Sequence, residues 1–298
     1  MSHAATATLP GKRAYGRQAA TGATRALSVV AVVATLVGFY ELYRWIWSST
    51  GWTYPFVVDD TSMPHVWVIL HALWQPAQVN QPALGTILFH KSLFTAKEAA
   101  VGFALGAAVG FAIGIVLAHS RLLVRGFLPY IVASQTIPIL AIAPMVVVWV
   151  NPKLPPSLQG WGSVAVIAAY LTFFPVAINT LRGLQSADPH ALDLMRTYAA
   201  GRWTVLWKVR VPASMPFVFS ALRIAATASV VGAIIGELPS GIQNGLGIAI
   251  LNFSRFYNQS PSRLWATIIA SGLLGILFFC AIAIIERLVV RWKVEESS

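Results

Sequence analysis

Six stretches of this chain, at 27–47, 95–119, 127–150, 162–184, 217–236 and 264–290, are apolar over about the 20 residues that a membrane-spanning helix needs. Inside lipid no water satisfies the backbone, so each such stretch must form its own hydrogen bonds as a helix. The composition agrees: 57% of the 298 residues are hydrophobic, 10% are charged and the mean hydropathy is +0.68. A soluble domain of this size could not hide so much apolar surface in one core. The expected fold is therefore all-α, a polytopic membrane protein of about six transmembrane helices.

The formal charge of +11 is not that of a nucleic-acid binder, because the cations sit in short segments between the apolar runs and not on one water-facing domain. With the N-terminus inside, 14 of the 21 Lys and Arg fall in inner segments, among them Arg121, Arg125, Arg182, Arg196, Arg202, Lys208 and Arg210. Six fall outside: Arg44, Lys91, Lys97, Lys153, Arg255 and Arg263. That imbalance predicts both termini in the cytoplasm. Residues 1–26 read as a disordered basic cytoplasmic tail carrying Lys12, Arg13, Arg17 and Arg25. The run at 27–47 ends in Glu41, Arg44, Trp45 and Trp47, which suit an interfacial anchor better than a signal-peptide cleavage site. Residues 27–94 are thus a first transmembrane helix followed by an outer interfacial segment, in which 66–70 and 87–89 are apolar but too short to span. A core domain covers 95–292, with a loop at 185–212, and 293–298 form a second cytoplasmic tail. The single cysteine, Cys280, lies in an apolar run; it reads as a small buried hydrophobe and excludes an intrachain disulfide or a Cys-based metal site.

Within the second run Gly102, Gly106, Gly110 and Gly114 recur every four residues, lining one helix face along which another backbone can approach closely. The readings are tight helix packing or the lining of a pore. The third run contains Gln135, Thr136 and Pro138, then Pro144, so kinks are expected where each proline removes a helix hydrogen bond. A broken, polar helix at membrane depth is a candidate translocation path, and Gln135 either lines it or bonds a neighbouring helix. Tyr170, Thr172 and Asn179 in the fourth run are candidates of the same kind. Glu237 closes the fifth run at the outer face, as a solvated helix-end carboxylate or as a contact for a docking partner or substrate. The outer loop at 151–161 carries no recognisable motif.

The loop at 185–212 is the most informative stretch. Asp188 suits an N-cap and Pro189 the first helical position, so a short helix is expected to begin there. A break near Ala200 and Gly201 and a second helix through Trp203, Leu206, Trp207 and Arg210, ending before Pro212, should follow. Caps, a turn and an apolar stripe describe a folded helix pair projecting into the cytoplasm, with a surface to dock.

This loop resembles the signature of binding-protein-dependent ABC importer permeases: E-A-A, three residues, Gly, nine residues, then I-x-L-P. Asp193 stands for the Glu, Leu194 and Met195 for the alanines, Ala199 for the Gly, Val209 for the Ile, Val211 for the Leu, and Pro212 is retained. The alanine at the glycine position removes turn freedom. The resemblance runs from about residue 85 to 290 and is nearest the nitrate, taurine and sulfonate branch. Within that branch, segments such as 135–144, 174–175, 222–227, 234–237 and 245–247 resemble permeases for thiamine pyrimidine precursors or riboflavin. The resemblance implies that the loop is a coupling helix seated on an ATPase subunit, with Asp193, Met195, Arg196, Thr197, Tyr198, Ala199, Gly201, Arg202, Trp203 and Pro212 as coupling residues. It implies as partners two ABC ATPase subunits, an extracytoplasmic solute-binding protein and a second permease copy, identical or related, in the bacterial-type cytoplasmic membrane.

No G-x-x-x-x-G-K-S/T sequence occurs, so no P-loop can cradle ATP here; ATP and Mg are expected on the partner ATPase, and no cofactor in this chain. H-E-x-x-H and G-x-S-x-G are also absent, and the six histidines lie near segment ends without a metal-binding pair. An ion-gradient-driven secondary transporter is the alternative. It would want ionisable residues at mid-membrane, whereas Glu98 and Glu286 are expected near span ends.

Overall fold

A computed structural model describes residues 13–51, 53–54, 57–77 and 80–290, with side chains from Leu27 onward. The chain divides into two compact units, 1–70 and 71–298. Among the described residues the backbone is helical, with a lone β-bridge between Pro76 and Ala83. Five helices are long and apolar enough to cross a membrane, or six if a bent pair counts as one span.

The first unit is built on α1 (Arg13–Thr50). The backbone is thus helical over 13–26, which corrects the expectation of disorder there; Ala14, Ala19, Ala20, Ala23 and Ala26 supply strong helix propensity. The remainder of that tail, 1–12, and the tail at 293–298 lie outside the described residues. Toward its end α1 holds the following loop by polar contacts. The Arg44 guanidinium donates to the Met63 carbonyl and pairs with Asp60. Glu41 accepts from the Val66 N–H at 3.0 Å and lies 2.7 Å from His65 Nδ1, and the Tyr40 hydroxyl donates to the Pro64 carbonyl at 2.9 Å. These contacts set the start of the short helix α2 (Val66–Ala72).

In the second unit α3 (Leu84–Ala118) has 35 residues. It takes in 87–89, so those residues are not a separate interfacial helix. At 1.5 Å per residue α3 is about 50 Å long, well beyond a hydrocarbon core of about 30 Å. Its glycine face lies against α6 (Trp161–Gln185). A Cβ at Gly102 would meet the Ala165 carbonyl oxygen at 2.6 Å, one at Gly110 the Phe173 oxygen at 2.4 Å, and one at Gly114 the Thr180 Cβ at 2.6 Å. All four glycines are buried in this seam, which is tight helix packing and not a pore lining. On its other side α6 receives α9 (Val211–Glu237), where Gly232 and Gly236 approach Ala168 and Val164. The helix α11 (Pro261–Val289) joins α9 through an Arg223–Glu286 ion pair at 3.2 Å. Cys280, expected to be buried, is exposed on α11, where lipid is the solvent.

The third apolar run is the largest departure from expectation. It forms α4 (Arg121–Ser134) and α5 (Ile139–Val150), bent by 97° at the intervening residues, so the expected break is there but the bend is sharper than a proline kink. Pro138 offers no N–H and disfavours helical backbone at Ile137, so α4 ends and α5 restarts. Ala143 and Val147 anchor α5 on Ile167 of α6.

Gly106→Ala should lower the thermal midpoint of the purified chain in detergent, by overpacking on the order of 1–3 kcal/mol, because the new Cβ would lie 2.4 Å from the Ala169 carbonyl oxygen. Gly272→Ala, with open space around it, should leave the midpoint unchanged; an equal loss in both variants would refute the seam.

Candidate functional site

Between α6 and α9 the chain leaves the bundle and returns. Asp188 accepts the His190 N–H at 3.0 Å and caps α7 (Pro189–Thr197), with Pro189 at its first position. At the other end the Ala199 N–H bonds to the Arg196 carbonyl at 2.9 Å and the Ala200 N–H to the Met195 carbonyl at 3.0 Å. This is the paired pattern of a Schellman stop, which requires a left-handed residue at the first position beyond the cap. That residue is Ala199, at φ +49°, one residue earlier than the break expected at Ala200–Gly201. Alanine therefore occupies the conformation for which the family signature keeps glycine, at a cost of about 1–2 kcal/mol.

No residue of α7 is buried. Asp193, Arg196, Thr197, Tyr198, Gly201, Arg202 and Trp203 are all exposed, and Met195 is half-buried. Asp193 and Arg196 pair at 2.8 Å along one helix face. Leu194, Tyr198 and Trp203 are 56%, 75% and 66% exposed, an apolar and aromatic surface outside the bundle. Trp207, 56% exposed, was not singled out as a contact in the sequence, although the apolar stripe contains it.

The return segment does not end before Pro212. The short helix α8 (Arg202–Val205) passes into a π turn at Leu206–Arg210 and then directly into α9. The Val211 N–H reaches the Leu206 carbonyl five residues back, and the wider turn gives the Pro212 ring the room that a regular turn would deny it. Pro212 is half-buried in the first turn of α9, at the base of the loop and not on its exposed surface. Leu184 of α6, Leu206 and Val211 form a buried cluster with Ile115 and Ala118 of α3 and Met215 of α9. The exposed loop is thus joined to one end of all three core helices.

Gln135, Thr136 and Pro138 are exposed, and Gln135 makes no interhelical hydrogen bond among the described residues. The Tyr170 hydroxyl donates to the Ser134 carbonyl, satisfying the end of α4 from α6. Thr172 and Asn179 bond to carbonyls of their own helix, at 2.9 and 2.8 Å. Thr172 also packs against Gly106, so it belongs to the seam.

Glu237 is fully buried, which removes both the solvated carboxylate and the exposed docking contact. Its Oε1 accepts from the Thr95 hydroxyl at 2.5 Å and its Oε2 from the Gly247 N–H, while Thr95 Oγ1 accepts the Leu246 N–H at 2.9 Å. The carboxylate therefore holds the first turn of α10 (Leu246–Arg255). Gly245, at φ +103°, is required there twice over, since a Cβ would stand 2.2 Å from Glu237 Cδ. Glu98 is likewise fully buried, and fourteen residues into α3, or about 21 Å along it. This corrects its expected place near a span end, which depended on starting the helix at Thr95.

Together these features define a multi-pass membrane transport subunit whose exposed helix pair is rooted in its transmembrane core. The chain belongs to the family of binding-protein-dependent transport system inner membrane components, whose pattern it matches over residues 110–291. It is 32% identical to the riboflavin transport system permease protein of Chloroflexus aurantiacus, over 70% of this chain and 74% of that one. It is also 32% identical to the formylaminopyrimidine transport permease protein of Halalkalibacterium halodurans, over 76% and 91%. A chain of the inward-facing MetNI methionine ABC transporter shares the fold, with a TM-score of 0.58 at 18% identity, over 70% of this chain and 98% of that one. The protein is a permease subunit of a binding-protein-dependent ABC importer, and none of these relatives is named as an ion-gradient-driven carrier.

Ala199→Gly should raise the thermal midpoint by relieving the left-handed alanine, a gain of about 1 kcal/mol after the added flexibility of the unfolded chain is subtracted. Ala199→Val should lower it. A midpoint that falls in the glycine variant would show that φ at this position is not left-handed in the folded protein.

Proposed function

We propose that this permease imports a small, flat heteroaromatic solute, handed over by an extracytoplasmic binding protein, while two separate ABC ATPase subunits hydrolyse ATP with Mg on the cytoplasmic side. The observation that carries the coupling half of this reading is the capped α7 and the start of α8, with Leu194, Tyr198 and Trp203 exposed, an unpartnered apolar surface on a folded and not a flexible loop. Asp193, Arg196, Thr197, Ala199, Gly201 and Arg202 complete the ATPase contact, and Met195 and Pro212 act from beneath it. Nucleotide-driven closure of the ATPases moves α7, and the cluster around Leu206 carries that movement to α3, α6 and α9.

The substrate class rests on the two 32%-identical relatives, which are named for riboflavin and formylaminopyrimidine. Relatives named for nitrate and aliphatic sulfonates stand at 27%, and a small oxyanion is the second reading. The path is assigned to Gln135, Thr136 and Pro138, with Tyr170 and Asn179 behind them. Polar groups at a helix break cannot face lipid unsatisfied, so a second permease copy, identical or related, is needed to enclose them along an aqueous route. Glu237 holds the outer loop in shape and does not touch the solute. The excess of cations in the inner segments supports both termini in the cytoplasm, and membership of a family of inner membrane components supports the bacterial-type inner membrane.

Asp193→Lys and Tyr198→Lys should each reduce retention of the ATPase on the purified permease by about tenfold and lower ATP-coupled uptake, with membrane insertion unchanged. Normal retention in both variants sinks the assigned contact. Gln135→Ala should change the kinetics of uptake of the ligand that the cognate binding protein selects, with the complex intact; unchanged kinetics remove Gln135 from the path.

A further inference from the structure

The segment from Arg202 to Arg210 contains Arg202, Lys208 and Arg210, and no carboxylate occurs in the sequence between Asp193 and Glu237. Between this segment and the end of α3 lies a cavity of about 260 Å³, lined by His119, Arg202 and Arg210 together with Ala118, Ala200 and Leu206. No acidic side chain lines it, and neither arginine has an ion pair among the described residues. The Arg210 Nε is buried without a hydrogen-bond partner. His119 Nδ1–H donates to the Ile115 carbonyl at 2.8 Å, which leaves its other nitrogen open, and its ring lies 5.7 Å from Trp203.

The cavity floor fixes its depth. Leu206 is part of the buried cluster at the inner ends of the core helices, and Ala118 packs on that cluster. Trp203 and Trp207 flank the cavity in sequence and are 66% and 56% exposed. Apolar span ends below, arginines beside and exposed tryptophans around mark the boundary between hydrocarbon and headgroups, where indole rings settle and arginine meets phosphate. We infer that this cavity is a phosphate-binding site, occupied by the headgroup phosphate of an anionic lipid in the cytoplasmic leaflet. Two guanidinium groups match a phosphate bidentately, and an anionic leaflet supplies it at high local concentration. The bound phosphate neutralises the half-buried Arg210, whose Nε is the buried part, and ties the root of the loop to the membrane surface. The inference rests on the inner-face placement of the loop given above and shares Arg202 with the proposed ATPase contact, so the test is carried by Arg210 and Ala118, which lie outside that contact.

The test uses the full chain in nanodiscs of phosphatidylcholine with one-tenth phosphatidylglycerol, released into native mass spectrometry, with calorimetry of inorganic phosphate against the detergent-purified chain alongside. Wild type should retain phosphatidylglycerol in preference to phosphatidylcholine, and Arg210→Gln should lose that preference by about tenfold. Ala118→Leu, which fills the cavity while keeping every charge, should do the same and stands in where the arginine variant does not fold. Arg125→Gln, an inner-face cation outside the cavity, should leave retention unchanged. Phosphate binding lost in both cavity variants, without lipid selection, would support the site with a soluble source in place of the lipid. Equal lipid retention in wild type and both cavity variants, with no phosphate binding, overturns the proposal. So does occupation of the cavity only when the ATPase is present, which would assign it to an acidic side chain of that subunit.

Discussion

The backbone contact between α3 and α6 is the constraint on which the rest of the molecule depends. In lipid there is little hydrophobic gain in bringing two helices together, so association has to come from close dispersion contact and satisfied polar groups. Four glycines spaced one turn apart give α3 a smooth face, and the carbonyls of Ala165, Ala169, Phe173 and Ala177 lie where side chains would otherwise stand. With α6 fixed on one side by that seam, Gly232 and Gly236 bring α9 close on the other, though less tightly. A central helix gripped by two neighbours moves as one body with them, which is what a transporter requires of the part that responds to a distant ATPase.

That rigidity gives the loop between α6 and α9 its meaning. A mobile loop would dissipate a push from a partner, but α7 is capped by Asp188 at its start and closed by the turn at Ala199 at its end. The return strand of the loop is continuous with α9 through a π turn, so displacement of α7 reaches the core without a flexible joint. The left-handed alanine is a local strain held in place by the two Schellman hydrogen bonds. Where strain and rigidity coincide on an exposed apolar element, a docking surface is the economical physical explanation.

At the opposite end of the bundle, Glu237 organises a second loop by a different route. A carboxylate at a helix N-terminus is favourable, and here Thr95 from α3 completes its shell. That loop is thereby fixed to α3 and α9, the same two helices that meet the loop between α6 and α9 at the other end of the bundle. Between these two anchored ends lies the break at Gln135–Pro138, whose exposed polar groups are the part of the chain least content with lipid.

The sequence by itself determined the solvent, the helical class, the glycine seam and the capped loop, because each is a local property: hydropathy over a span, a four-residue spacing, an N-cap followed by proline. The family resemblance followed from spacing in the same loop. Helix ends and angles were not legible. Nothing local shows that α3 begins at Leu84, that the run through Pro138 bends by 97°, or that Pro212 sits inside a continuous helix and not at its end. Nor does anything in the text around Glu237 reveal that Thr95, 142 residues away, donates to it. Those outcomes belong to the tertiary structure, because whether a polar group is exposed, capped or buried depends on which distant backbone arrives to satisfy it.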